Sequence, residues 1–244
     1  MEKVQRLKNN KGEDRMKFCQ LNKENISKID LVIGCLLGDG HIEKNGRIQV
    51  FHSIKQKVYT LWLMELFKKF FKVTYRERTC KLKDSDKEYK QVGFYVTGTK
   101  FTKLIRQYTY KPNKTINMRQ LNKLSPLGLA IWYLDDGCLS FIKKNNKIKS
   151  RQIILNTQGF SYEEQLIICE YFKTKGIECH IHKDKTKYKI WMNGTNGSFF
   201  LSIIAPFIPE CMYYKLCYRY YGYNSEKNLC GRACETGNCP YNIV

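Results

Sequence analysis

Apolar positions along the chain follow two different periods, which predicts a protein that mixes helices and strands. Apolar residues recur every three or four positions, as in an amphipathic helix, in KVYTLWLMELFKKFF from Lys57 and in SYEEQLIICEYFKTKG from Ser161. Apolar and polar residues alternate, as in a strand, in segments such as RIQVFHSI from Arg47. We expect the second helix to begin at Ser161, whose capping box includes Glu164, and to end at Gly176.

This order of elements occurs twice. Each half begins with an apolar run that ends in Asp-Gly, LVIGCLLGDG and LAIWYLDDG, and the final acids of these two motifs, Asp39 and Asp136, lie 97 residues apart. Alternating segments and amphipathic helices follow in the same order, and each half closes on a segment with one lysine, Lys114 or Lys215. The lysine follows its acid after 75 residues in the first half and after 79 in the second. The agreement in spacing indicates an internal duplication.

The duplication predicts an α+β fold of two pseudo-symmetric αββαββα units, packed through their two apolar motif helices. The predicted organisation is a basic N-terminal flank at 1–23, an N-terminal half at 24–116, a linker at 117–123, a C-terminal half at 124–224 and a Cys/Gly-rich tail at 225–244.

The acids at the ends of the motif helices are the first indication of chemistry. A carboxylate near a helix C-terminus faces the negative end of the helix dipole, at a cost of roughly 0.3–1 kcal/mol. If the motif helices pack together, Asp39 and Asp136 approach each other, and such a pair either shares a proton or holds a cation. Oxygen ligands suit a divalent ion such as Mg²⁺. The glycines that follow, Gly40 and Gly137, are expected to end the helices in the left-handed conformation.

The net charge of the chain indicates which class of partner it binds. The chain has 43 lysines and arginines against 22 acids, and the net charge of +21 is spread along its length. This predicts binding to an extended polyanion, with nucleic acid favoured over an acidic membrane surface. No apolar run reaches the roughly 18 residues that span a bilayer, and residues 1–23 lack the apolar core of a signal peptide. We expect a cytoplasmic protein, or one of an organelle matrix if organelle-encoded, and not a secreted one.

With both motifs, both lysines and the elements between them in order, the chain resembles the LAGLIDADG homing endonucleases in their single-chain, two-motif form. The similarity extends over about residues 26–220. LNTQGFSYEE and IPECMYYKL in the second half are also similar to the endonuclease encoded by the omega intron of yeast mitochondria. The resemblance implies two saddle-shaped, four-stranded antiparallel sheets, and a monomer that binds a long, asymmetric double-stranded DNA target without a membrane.

The resemblance also implies site residues. The catalytic residues it implies are Asp39, Asp136, Lys114 and Lys215. The implied ligands for Mg²⁺, with Mn²⁺ as a substitute, are Asp39 and Asp136 together with main-chain carbonyl groups at Gly38 and Asp135. Hydrolysis of both strands would leave short 3′ overhangs.

Small residues in the first motif suit close packing of the helices. Gly34 and Gly38 are four residues apart, and we expect Ile131 and Asp135 opposite them. Large residues against small ones can interlock, but the helix pair cannot then be symmetric.

Strand alternation predicts the side chains that face DNA. Lys187 and Lys189 should point to one face of their strand and Ile190 to the other. Arginine pairs favourably with guanine and glutamine with adenine, although any single one of these residues could instead be a solvated surface residue. The candidate DNA contacts are Arg47, Gln49, His52, Arg76, Arg78, Lys149, Arg151, Gln152, Asn156, His180, His182, Lys187 and Lys189.

The C-terminal CGRACETGNC brings three cysteines close together. Cys230, Cys234 and Cys239, with Cys217 as a fourth ligand, could hold structural Zn²⁺, but the two-residue interval of zinc knuckles is absent. A reduced flexible tail and disulfides are the alternatives. The odd total of 11 cysteines fits a reducing compartment.

The sequence therefore predicts an Mg²⁺-dependent, site-specific double-strand DNA homing endonuclease encoded in a mobile intron. The alternative is an RNA maturase for an intron, built on the same scaffold. A non-cutting transcription regulator is a third hypothesis, although such regulators usually carry an added DNA-binding module. The paired acids favour the nuclease, because a maturase has no need of paired metal ligands.

Overall fold

The computed structural model describes residues 26–81, 88–144 and 147–216, and of residues 142–151 the backbone alone. The elements of the first half are α1 (Lys28–Leu37), β1 (His41–Ile42), β2 (Ile48–Ser53), α2 (Lys57–Lys68), β3 (Val73–Lys81), β4 (Glu88–Val96) and α3 (Lys100–Thr109). The short helix α4 (Met118–Leu121) follows. The second half has α5 (Pro126–Asp136), β5 (Gly137–Lys144), β6 (Lys147–Leu155), α6 (Tyr162–Thr174), β7 (His180–Asp184), β8 (Lys187–Met192) and α7 (Gly194–Ile204). Turns of 3-10 helix occur at Ile54–Gln56, Ala205–Phe207 and Glu210–Lys215.

Each half contains one four-stranded antiparallel sheet. The strand orders are β1-β2-β4-β3 and β5-β6-β8-β7, which are equivalent under the duplication. This confirms the predicted pair of αββαββα units. The predicted linker at 117–123 contains helix α4, and the other domain boundaries stay a prediction. The flank at 1–23 and the tail cysteines, Cys217 included, lie outside the described residues.

Two elements of the second half, β5 and the first turn of α7, have no clear local signal in the sequence. Strand β5 begins at Gly137, directly after the second motif, and pairs with β6 over 8 residues. Helix α7 begins at Gly194, four residues before the apolar run SFFLSII, because the Asn193 side chain accepts a hydrogen bond from the backbone N–H of Asn196. This cap makes a helical turn from residues that resemble a loop.

Helix α6 begins and ends where the sequence predicts. Ser161 and Glu164 form the capping box, each side chain accepting a hydrogen bond from the other residue's backbone N–H. Gly176, just past the helix, has a φ of 73°, a conformation that favours glycine.

The motif helices α1 and α5 pack directly against each other, as predicted. At one end the buried Asp30 carboxylate accepts hydrogen bonds from the N–H and the hydroxyl of Ser125, the residue that caps α5. In the middle Gly34 lies against Gly128, where a Cβ on Gly34 would be 2.5 Å from the Gly128 carbonyl oxygen. The two backbones are therefore in contact at this seam.

One expectation about the seam is wrong and one is confirmed. Gly34 faces Gly128 instead of Ile131, so the middle of the seam pairs glycine with glycine. Gly38 does face Asp135, since a Cβ on Gly38 would be 2.4 Å from Oδ2 of Asp135.

The motif glycines do not act as left-handed caps. Gly137 has a φ of −80°, and Gly40 is not among the positive-φ glycines. A Cβ on Gly40 would lie 2.6 Å from Sγ of Cys35, and one on Gly137 would lie 1.9 Å from the Tyr133 ring. Close contact, rather than backbone conformation, therefore excludes side chains at both positions.

The core of each half lies between its sheet and its helices. Buried strand residues such as Val50 and Phe94 face α2 in the first half, and Ile153 and Met192 face α7 and its neighbours in the second. Within the described residues, no helix has the length and apolar character needed to cross a membrane.

Candidate active site

The ends of the two motif helices form the candidate site. Helix α1 ends at Leu37, so Asp39 lies in the turn just past it, whereas Asp136 is the last residue of α5. The backbone N–H of Asp39 donates to Oδ2 of Asp135 over 3.2 Å, which ties the two motifs together. The Asp39 side chain is 48% exposed, while that of Asp135 is fully buried.

Negative charge accumulates at this junction. Burial, followed by the charges of the Asp39 and Asp135 carboxylates, raises the pKa of Asp136 to about 7 against the opposing effect of Lys114 and Lys215. Burial also raises the pKa of Asp39, with Asp135 adding to the effect. Burial and neighbouring negative charge both disfavour the ionised form of these carboxyl groups. A bound cation would stabilise the ionised form most strongly at such a site.

The two lysines lie against the motif ends of their own halves. Nζ of Lys114 donates to the Gly38 carbonyl over 3.1 Å. Nζ of Lys215 donates to the carbonyls of Gly137, over 3.0 Å, and Leu134, over 2.5 Å. Burial lowers the pKa of both lysines. The structure thus brings both predicted lysines to the predicted acids, one in each half.

His52 corrects a predicted DNA contact. It follows Ile48 and Val50 on the buried face of β2, and its side chain is 1% exposed. It therefore cannot reach DNA, and instead its Nε2 lies 3.5 Å from Oδ1 of Asp135 and 3.6 Å from Oδ2 of Asp39. The alternation of RIQVFHSI already placed His52 on the face of Ile48 and Val50, so this signal was present in the sequence.

Sequence reasoning missed Tyr59. Its ring is buried on the apolar face of α2, and its hydroxyl donates to Oδ1 of Asp135 over 2.7 Å. Helical periodicity identifies such a tyrosine as a core residue, and nothing in the local sequence indicates the carboxylate that its hydroxyl meets.

The sheet faces opposite the core carry the other candidates; we call these the open faces. In the first sheet, strand register places Arg76 beside Gly93 and Arg78 beside Gln91, on the same open face as Phe51. The Arg78 guanidinium lies 3.7 Å from the centre of the Phe51 ring, and its Nε donates to the Gln91 side chain over 2.9 Å. The predicted arginine pair is therefore presented together on an accessible surface.

The open face of the second sheet carries both predicted histidines and both predicted lysines. Register pairs His182 with Lys189, while Ile190 points to the core, which confirms the predicted alternation. The Trp191 ring, which the sequence analysis did not single out, contacts the rings of His180 and His182, with centroid distances of 5.3 and 5.0 Å.

The remaining candidates are placed differently. Gln49 lies on the first open face, and the exposed Arg47 forms an ion pair with Glu43 at 2.7 Å. Asn156 donates to the Asp136 carbonyl over 2.9 Å, so it lies at the motif end instead of on the sheet face. The side chains of Lys149 and Arg151 lie outside the described residues.

Comparison with known proteins decides the family. Residues 29–200 match the model of the LAGLIDADG DNA endonuclease family, which is more than half of the chain. The chain belongs to this family. The match confirms the resemblance drawn from the two motifs, and the LAGLIDADG segments are helix α1 with the turn that follows it and helix α5 with the first residue of β5.

Individual relatives agree with the LAGLIDADG assignment. The DNA endonuclease I-ChuI of Chlamydomonas applanata is 26% identical over 213 residues, covering 77% of this chain and 93% of the relative. A probable intron-encoded endonuclease of Wickerhamomyces canadensis is 28% identical over 215 residues, covering 79% and 86%. The solved structure of the homing endonuclease I-WcaI bound to its DNA recognition sequence shares the fold, with a TM-score of 0.65, 23% identity and coverage of 83% and 97%.

Proposed function

We propose that this chain is a site-specific, intron-encoded double-strand DNA endonuclease that hydrolyses phosphodiester bonds with divalent metal ions, Mg²⁺ in the cell and Mn²⁺ as a substitute. The observation that carries the proposal is the placement of Asp39 and Asp136, from equivalent positions of the two halves, at the ends of the two packed motif helices. The two carboxylates interact electrostatically, and as a result Asp39 raises the pKa of Asp136. Membership of a DNA endonuclease family supports the same activity.

The residues at the seam fit a divalent ion. Asp39 and Asp136 offer carboxylate oxygens, and the carbonyls of Gly38 and Asp135 are the neighbouring main-chain oxygens, which are the donors that Mg²⁺ prefers. The bound ion would lower the pKa of a water molecule and neutralise the leaving oxygen. The half-exposed Asp39 side chain gives the phosphodiester backbone access to the site.

Lys114 and Lys215 would act as positive charges beside the reacting phosphates. Each is held by the carbonyls at its motif end, so its ammonium group is oriented before DNA arrives. A preoriented cation stabilises the charge that develops on phosphate oxygens in the transition state. One acid and one lysine from each half provide one centre for each strand, and cleavage at both would leave the short 3′ overhangs.

The open faces would bind the DNA. The first open face carries arginines and the second carries lysines and histidines, and the net charge of +21 attracts the phosphate backbone. We propose that a monomer spans a long asymmetric target, because the two open faces carry different side chains. It would act in the cytoplasm or in an organelle matrix.

The maturase alternative is not favoured. An RNA-binding scaffold gains nothing from two neighbouring acids with raised pKa values, which destabilise the fold unless a cation is bound. Nothing in the described residues favours a second function strongly enough to replace the nuclease.

A selection from random duplexes tests the proposal. The full chain is incubated with the library and Mg²⁺, and cut ends are recovered and sequenced; we expect one family of sequences cut on both strands. The matched control is the double variant Asp39→Asn/Asp136→Asn, which should bind the same duplexes and produce no ends. Tight binding of intron RNA, with no duplex cut under any condition, would support the maturase instead.

A further inference from the structure

An imidazole nitrogen of His52 faces two carboxylates inside the protein. Nε2 lies 3.5 Å from Oδ1 of Asp135 and 3.6 Å from Oδ2 of Asp39. The His52 and Asp135 side chains are 1% and 0% exposed, and among the described residues Nε2 has no hydrogen-bond partner. A buried polar nitrogen without a partner requires a physical explanation.

The Thr60 hydroxyl determines which ring nitrogen carries the proton. Its Oγ1 lies 3.0 Å from the Gln56 carbonyl oxygen, to which it donates its single hydrogen, and 2.8 Å from Nδ1 of His52. A hydroxyl that is already donating must accept from Nδ1, which therefore carries the proton. In the neutral ring, Nε2 then has a lone pair, which points at two carboxylates that also have only lone pairs to offer.

The distances fit an ion between these atoms better than direct hydrogen bonds. Separations of 3.5 and 3.6 Å exceed the roughly 2.7–2.9 Å of a charge-assisted hydrogen bond. Ligand atoms about 2.1 Å from a tetrahedral ion are roughly 3.4 Å apart. The ligand atoms of Asp39, His52 and Asp135 all lie within 4.8 Å of one another.

We propose that Nε2 of His52, Oδ2 of Asp39 and Oδ1 of Asp135 bind a divalent d-block ion, such as Mn²⁺ or Zn²⁺, on the protein side of Asp39. An imidazole nitrogen suits these ions better than Mg²⁺. Thr60 orients the imidazole, and the Tyr59 hydroxyl and the Asp39 N–H orient the Asp135 carboxylate, as partners of metal ligands generally do.

The site belongs to the first half alone. Thr157 and Gln165 occupy the positions of the second half that correspond to His52 and Thr60, and there the Thr157 hydroxyl donates to the Gln165 side chain over 2.6 Å, which satisfies both groups. Through Asp39 the inference rests in part on the proposed function, although it requires no DNA. The exposed edge of Asp39 gives an ion a way in.

Mn²⁺ binding by the full chain without DNA tests the inference, because Mn²⁺ has little preference for thiolates and the cysteines will not compete. Electron spin-echo envelope modulation should detect a ¹⁴N nucleus coordinated to Mn²⁺ in the unsubstituted chain. His52→Gln should remove this coupling and weaken Mn²⁺ binding at least about tenfold. The control variant His182→Gln, which changes an exposed histidine on the second open face, should leave both unchanged.

Several results would overturn the inference. The first is that the unsubstituted chain binds Mn²⁺ without nitrogen coupling. The second is that the coupling persists in His52→Gln. The third is that Asp135→Asn binds Mn²⁺ with unchanged affinity. The last variant preserves side-chain size and decides the matter if His52→Gln does not fold, as judged by circular dichroism. If the chain cuts DNA in Mg²⁺ but its bound Mn²⁺ shows no nitrogen coordination, only this site is eliminated. If its bound Mn²⁺ shows nitrogen coordination but the chain cuts no duplex, only the proposed function is eliminated.

Discussion

The carboxyl group of Asp136 experiences burial and two neighbouring carboxylates at once, and its pKa is raised to about 7. In the metal-free protein this group opposes folding at neutral pH, because the native state holds a proton that the unfolded chain releases at a pH of about 4. A bound divalent cation would reverse the sign of this contribution. Metal binding at the seam and stability should therefore be linked.

We expect the stability of the metal-free protein to fall as pH rises from about 4 to about 7. We expect the Asp136→Asn variant not to show this fall in stability. At pH 8 in a chelator, the variant should melt roughly 2–4 °C above the unsubstituted chain by scanning calorimetry, with the difference shrinking towards pH 5. Asp184→Asn, which removes an acid whose pKa is lowered by its partners, should show no gain. Parallel pH profiles for the chain and Asp136→Asn would contradict the assignment.

Trp191 determines how Gln152 can contact a base. The indole N–H can only donate, and it donates to Oε1 of Gln152; one amide N–H of Gln152 donates to the Ser140 hydroxyl over 3.4 Å, which leaves the other N–H for the groove. Adenine requires a donor and an acceptor together, and the indole occupies one of the two lone pairs of Oε1, so the pairing of glutamine with adenine is weakened here. We expect Gln152 to contact an acceptor on guanine or thymine.

Replacing the indole of Trp191 tests whether it orients the Gln152 side chain. Trp191→Phe frees Oε1, and the duplexes selected by the variant should show a relaxed base preference at one position while the other positions are retained. Trp62→Phe, in helix α2, serves as the control and should select the original target. An unchanged preference in Trp191→Phe would show that Trp191 does not orient Gln152.

At the scale of elements, the seam between α1 and α5 positions the acids. Its helices touch through Gly34 and Gly128, so a methyl group at Gly34 would meet a carbonyl oxygen at 2.5 Å. Overpacking of this kind typically costs 1–3 kcal/mol, and Gly34→Ala should lower the free energy of unfolding by about that much in urea titration. Gly159→Ala, where a Cβ meets nothing within 4 Å, is the matched control and should be close to neutral. Equal stability of the two variants would show that the seam is looser than described.

Elements with local signals were predictable. Helix α6 has its capping box and Gly176 in the sequence, and strand alternation placed Lys189 and Ile190 on the correct faces. Strand β5 has no clear local signal, because its pairing with β6, rather than any local pattern, makes it a strand. Contacts across the seam, such as Asp30 with Ser125, depend on residues 95 positions apart and leave no periodic signal.

For the whole molecule, the duplication explains why the acids and lysines could be found from sequence and why the rest of the site could not. Asp39 and Asp136 lie 97 residues apart and Lys114 and Lys215 lie 101 apart, nearly the same interval, but the groups around Asp135 have no counterpart in the other half. A search for repeats detects what the halves share. The asymmetric contacts become visible only when the halves are packed together.

The two lysines should act on different strands. Lys114 contacts the first motif and Lys215 the second, so Lys114→Ala and Lys215→Ala should each slow one strand at least tenfold more than the other, with opposite preference. Single-turnover reactions on a duplex labelled on each strand measure this, with the exposed Lys111→Ala as the control. Equal slowing of both strands by either variant would contradict one centre per strand.

The most direct test of the account is the single-turnover cleavage rate of the selected duplex in Mg²⁺ by Asp39→Asn and Asp136→Asn, each compared with the unsubstituted chain at saturating protein. If the two acids jointly hold the metal ions at the seam, each variant should still bind the duplex and should lose at least about a hundredfold in the rate of double-strand cleavage. Cleavage of both strands at the unsubstituted rate by either variant would contradict the account.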